Sequence, residues 1–72
     1  MHPIASEDRV QLLEEIAEFE LHQGDVGIVR TSWYFPTVAF EVEFTVLGKR
    51  LRLLLLGEQI CHEQEHALTL SR

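Results

Sequence analysis

Gly24-Asp25-Val26-Gly27-Ile28-Val29 reads as a tight turn that feeds directly into a strand. Two glycines three apart around an Asp are expected to supply positive φ where the chain reverses. The β-branched run after them suits a pleated, half-buried surface. From here the chain is expected to stay extended for most of its length. Val26 to Ser32 is the expected strand, and Trp33-Tyr34-Phe35-Pro36 interrupts it, because Pro36 has no donor for a ladder bond and biases Phe35 to extended geometry.

The clearest strand follows. Val38, Phe40, Val42, Phe44 and Val46 alternate with Thr37, Ala39, Glu41, Glu43 and Thr45, which assigns one face to the core and leaves the other largely wet. A one-residue slip would bury Glu41 and Glu43, so the register is firmly set. Gly48 and Lys49 are read as a hairpin turn, with Arg50 to Leu56 returning antiparallel. Leu51, Leu53 and Leu55 belong on the core face, whereas Leu54 and Leu56 share the other face with Arg50 and Arg52. Two readings stand for that pair: cover by the acidic loop or the C-terminal tail, or an exposed apolar strip that seeks a partner.

Upstream, Asp8 to Leu21 supports two readings. Val10, Leu13, Ile16, Ala17 and Leu21 recur at helical spacing among good helix formers. The other reading is a short strand at Arg9 to Leu13, then an irregular acidic loop through His22 with Ile16, Phe19 and Leu21 tucked inward. Ser6 has Arg9 three residues on, so no capping box supports the helix. Downstream, Gly57-Glu58-Gln59-Ile60 is read as one helical turn that anchors Ile60 in the core, Cys61 to Glu63 as a short closing strand, and His66 to Leu70 as a weakly alternating edge strand or docking tail.

The order of these elements resembles the bacterial domain of unknown function 4926 family. The resemblance is carried by Val10 to Leu13, the acidic stretch, Leu21, Gly24-Asp25-Val26-Gly27, Phe40-Glu41-Val42-Glu43-Phe44, Leu53 to Leu56 and Gln59-Ile60. It runs without a gap from about Asp8 to Val29 and covers most of the chain to about Glu63. It implies a small SH3-like β-barrel, names no activity or catalytic residue, and favours strand plus loop for the first segment. The aromatic loop Trp33 to Pro36 and the tail beyond Glu63 depart from the family pattern.

The expected fold is therefore all-β, an SH3-like barrel of about five antiparallel strands spanning 1–72 as one domain, with its core in 8–63 and a tail at 64–72. The alternative is α+β, with a helix over Glu7 to Leu21 on an antiparallel sheet. With 72 residues, only about 60 per cent of the unfolded surface would be buried, so partner or self-association offers further burial. Apolar content of 46% sets intrinsic disorder aside. The longest apolar run, Leu53 to Leu56, is far short of the roughly 20 residues that span a bilayer. The start Met1-His2-Pro3-Ile4 shows no leader pattern, and the single Cys61 cannot form an internal disulfide, so a cytoplasmic protein is expected.

Net charge is -6, and residues 1–25 carry seven carboxylates against Arg9. That flank repels phosphate. No catalytic arrangement emerges, and an enzyme is not expected. The run Glu14, Glu15, Glu18 and Glu20 reads as solvated, and Gly24 to Gly27 lacks the following helix and Lys-Ser or Lys-Thr of a phosphate cradle. Cys61, His62 and His66 offer soft and borderline metal ligands, but no second pair completes a tetrahedral site, and on a strand the two histidines stand about 13 Å apart, so no cofactor or metal is assigned.

Trp33, Tyr34 and Phe35 beside Pro36 either seal the end of the core or form a binding platform. The expected function is a non-catalytic protein-interaction module or accessory subunit using Trp33, Tyr34, Phe35, Leu54 or Leu56, with a homodimer compatible. The alternative is a nucleic-acid-associated barrel using Arg30, Lys49, Arg50 and Arg52.

Overall fold

A computed structural model describes residues 3–64. Strand β1 (Arg9–Leu12) leads into the acidic loop, which holds a 3₁₀ turn at Ala17–Phe19. Then come β2 (Val26–Trp33), β3 (Ala39–Val46), β4 (Lys49–Leu56), a second 3₁₀ turn at Gly57–Gln59 and β5 (Ile60–His62). All pairings are antiparallel, and the sheet order is β4-β3-β2-β1-β5. The fold is all-β, as expected, with five antiparallel strands in one sheet that does not close into the expected barrel, and the α+β alternative falls because residues 7–21 contain no α-helix. Among the described residues no ladder joins β4 to β5, so the sheet is open there. The edge strand or tail expected at His66 to Leu70 lies outside the described residues.

Why the first segment is a strand is visible in its burial. Val10 and Leu12 are both fully buried, two residues apart, a pattern that strand alternation satisfies and a helix face does not. Its backbone is also committed to neighbours: the Leu12 N–H donates to the Asp25 carbonyl at 2.9 Å, and the Leu13 N–H to the Gln59 carbonyl at 2.9 Å. Tertiary pairing thus overrides the helical propensity of the Leu, Glu and Gln residues. The acidic loop then closes on itself through reciprocal bonds between Ile16 and Leu21, with Glu20 at φ 59. Leu21 is buried, while Ile16 and Phe19 pack partly buried against the core.

The core contains Val10, Leu12, Leu21, Val29, Phe40, Val42, Phe44, Leu55 and Ile60. Four details differ from the sequence expectation. Of Gly24 and Gly27, only Gly24 has positive φ, at 94°. Gly27 is needed for space instead: a Cβ there would stand 2.7 Å from Val42 Cγ1 and 2.8 Å from the Glu43 carbonyl oxygen. The hairpin turn is Leu47-Gly48 rather than Gly48-Lys49, with φ of 51° and 81°. Val38 lies ahead of β3 and is exposed, because the Phe35 to Val38 connection has already left the sheet. The fourth is Glu43, expected to be wet, whose side chain is only 9% exposed.

Candidate functional site

Strand register decides which side chains share the outer face of the sheet. Trp33 stands opposite Ala39, and Ala39 opposite Leu56; one step along, Thr31 stands opposite Glu41, and Glu41 opposite Leu54. Directly opposed residues share a face, so the outer surface has an apolar end built from Trp33, Ala39, Leu54 and Leu56. Further along the same face, Glu43 pairs with Arg52 and Thr45 with Arg50. The face is divided into an apolar half and a charged half.

At the apolar end the chain turns away after Trp33, and Phe35, Pro36 and Thr37 rise beside the sheet. Together with Trp33, Ala39 and Leu54 they line an open groove of about 240 Å³. Phe35 is 86% and Leu54 67% exposed, so each holds large apolar area in water. No titratable side chain lines this groove. Sequence reasoning named Trp33, Phe35 and Leu54, and the fold brings these three together. Thr37 and Ala39 were missed as lining residues, since nothing in a strand pattern says where a preceding loop will fold back.

Tyr34 and Leu56 have other positions. The Tyr34 hydroxyl donates a hydrogen bond to the Ile4 carbonyl, and its ring meets Phe40 edge-on with centroids 5.9 Å apart. Tyr34 therefore ties the aromatic loop and the N-terminal segment to a buried ring. Leu56 is 42% exposed beside the groove, and its N–H donates to Gln59 Oε1 at 2.8 Å.

The charged half is a closed network. Arg30 Nε and Arg52 Nε donate to Glu43 Oε1 at 3.3 and 3.1 Å, and Arg50 Nε lies 3.6 Å from Glu43 Oε2. Arg30 also donates to Glu7 at 2.9 Å, and Arg52 lies 3.7 Å from Glu41. Arg30 reaches two carboxylates from a register shift between Val29 and Thr31, a bulge that adds one residue to β2. Burial pushes the Glu43 carboxyl up, but the hydrogen bonds and charges of Arg30 and Arg52 outweigh it and hold it below the ordinary carboxylate range. On the far side, the Glu63 carboxyl is lowered chiefly by its hydrogen bond from Arg9, at 2.6 Å.

Three of the four cations considered for nucleic acid, Arg30, Arg50 and Arg52, are thus already engaged with carboxylates of this chain. Among the metal-ligand candidates, His62 Nε2 lies 3.2 Å from Asp8 Oδ2, and Cys61 is half-buried. Within the described residues no three His, Cys, Asp or Glu side chains converge on a metal-sized site, and His66 lies outside them. Likewise, no described helix is long and apolar enough to cross a membrane. No family model, curated protein or solved structure matches the chain.

Proposed function

We propose that this chain is a non-catalytic protein-interaction module of the bacterial cytoplasm, which takes an apolar side chain of a protein partner into the outer-face groove. The observation that carries the reading is the convergence of Trp33, Phe35 and Leu54 on one apolar depression bordered by ion-paired charges. A buried apolar centre with a polar rim is the anatomy of a binding patch. Full burial of a side chain such as Phe35 or Leu54 contributes about 1.5–3 kcal/mol, so two or three anchors dominate the affinity. The absence of titratable groups from the groove lining favours binding over acid–base chemistry. The lone Cys61, which has no disulfide partner in the sequence, accords with a reducing compartment. The resemblance to the domain of unknown function 4926 family, which names no activity, belongs to the same proposal.

Nucleic-acid binding is the weaker reading, because a phosphate would have to compete with Glu43 and Glu41 for Arg30, Arg50 and Arg52. The test is affinity capture from nuclease-treated bacterial lysate with the wild type, Trp33→Ala and Leu54→Glu, followed by hydrogen exchange on the captured complex. The expected result is one protein retained by the wild type, lost from both variants, and protecting residues 33–39 and 54. Capture unaffected by both variants, or protection elsewhere, overturns the groove assignment.

A further inference from the structure

An open sheet leaves two edges, here β4 and β5, and among the described residues β4 is paired with β3 alone. The two-residue turn at Leu47 and Gly48 makes Val46 and Lys49 the pair that exchanges both backbone bonds. By alternation Leu51, Leu53 and Leu55 bond to β3, whereas Arg50, Arg52, Leu54 and Leu56 aim their N–H and C=O groups away from it. The Leu56 N–H is capped by Gln59. The outward backbone groups of Arg52 and Leu54 have no hydrogen-bond partner among the described residues. An edge of eight residues is a template for another strand unless something blunts it.

Alongside Leu53 to Leu55 runs a second groove of about 490 Å³, and its far wall is the acidic loop, with Glu14, Glu15 and Glu18 at the rim. That wall is fixed in place. Gln59 Nε2 donates to Glu14 Oε2 at 3.0 Å, and Ile16 and Phe19 pack against the core. The groove thus offers unpaired backbone on one side and carboxylates on the other.

We propose that the β4 edge binds an extended segment of another protein carrying Lys or Arg at alternate positions, added antiparallel or parallel as a sixth strand. Side chains of an added strand alternate between faces. One row meets Glu14, Glu15 and Glu18, and the other continues the outer face beyond Leu54. Charge selects this occupant over a second copy of the chain. A second copy brings a net charge of -6 and its own acidic loop, and its β4 cations Arg50 and Arg52 are already held by Glu43. This site shares Leu54 with the Trp33 groove but none of that groove's other lining residues, and it stands whether or not that groove is used.

The test titrates the full chain with a capped synthetic peptide of alternating Lys and Val, read by isothermal calorimetry. Two further peptides carry backbone N-methyl groups on one alternate set of residues or on the other. Added-strand binding predicts that one methylated set abolishes binding while the other spares it. Glu15→Lys with Glu18→Lys, both on exposed positions, is expected to weaken binding by about tenfold or more. Trp33→Ala is expected to leave it unchanged, which separates this site from the outer-face groove. No binding, or equal loss with both methylated sets, overturns the proposal. So does sedimentation showing a wild-type dimer that the peptide must dissociate, since the edge is then occupied by a second copy.

Discussion

Replacing Gly27 with alanine puts a methyl group where β3 already stands. The added Cβ would lie 2.7 Å from Val42 Cγ1, 2.8 Å from the Glu43 carbonyl oxygen and 2.9 Å from Phe44 Cδ1. Val42 and Phe44 are core side chains with no room to withdraw, and the carbonyl belongs to a ladder strand. Overpacking of this kind costs about 1–3 kcal/mol, and the backbone contact places Gly27→Ala at about 3 kcal/mol. For a domain of this size each kcal/mol lowers Tm by roughly 4–8 °C, so a fall of roughly 12–24 °C is expected. Gly24→Ala is the control. It has φ of 94° and open space around it, so its cost is conformational only, about 1–2 kcal/mol. Thermal denaturation followed by circular dichroism compares the two directly. A Gly27→Ala protein as stable as Gly24→Ala would refute the close-approach reasoning and the β2–β3 register with it.

Other consequences concern single side chains. Tyr34→Phe removes the hydroxyl that donates to the Ile4 carbonyl, and a loss of about 0.5–1.5 kcal/mol in urea unfolding is expected, with the groove's binding retained. Leu54→Glu, on an exposed site, is expected to change stability by no more than about 0.5 kcal/mol while weakening partner capture at least about tenfold. Phe44→Ala empties a fully buried position and is expected to cost about 3–5 kcal/mol, enough to leave the domain largely unfolded by far-ultraviolet circular dichroism. For Glu43 the sign follows from its lowered folded-state pKa. The arginine network stabilises the protein above the ordinary carboxylate range, and that contribution is lost as pH falls through the folded value. Glu43→Gln is therefore expected to melt lower than wild type at neutral pH, and the gap should close on acidification; parallel Tm curves across pH would contradict it.

Much of the fold was legible because β3 and its partner announce themselves. Phe40, Val42 and Phe44 alternate with glutamates, and Leu55 and Ile60 fall in the core as their spacing requires. The first segment was not legible from propensity, since the same leucines and glutamates fit a helix. What decides it is the bonding of Leu12 to Asp25 and Leu13 to Gln59, contacts distant in sequence. Gly27 was named for the wrong reason: sequence marks a glycine, but only the neighbouring strand shows that space rather than φ demands it. Glu43 looked wet because alternation assigns a face without saying what covers it. Its cover comes from Arg30, Arg50 and Arg52, two of them on the strand across the hairpin. Trp33 and Phe35 were legible together as an aromatic loop and Leu54 separately as part of an apolar strip, and their meeting depends on how residues 35–38 fold back beside the sheet.

Either the apolar or the charged half of the outer face does the binding. Affinity capture at low and moderate salt, with and without nuclease, should be compared for wild type, Leu54→Glu and Arg50→Glu, each checked for an unchanged melting curve. Retention of a protein through moderate salt and nuclease, lost from Leu54→Glu and kept by Arg50→Glu, is the predicted result. Salt-labile, nuclease-sensitive retention that Arg50→Glu abolishes and Leu54→Glu spares would contradict it and assign the face to nucleic acid.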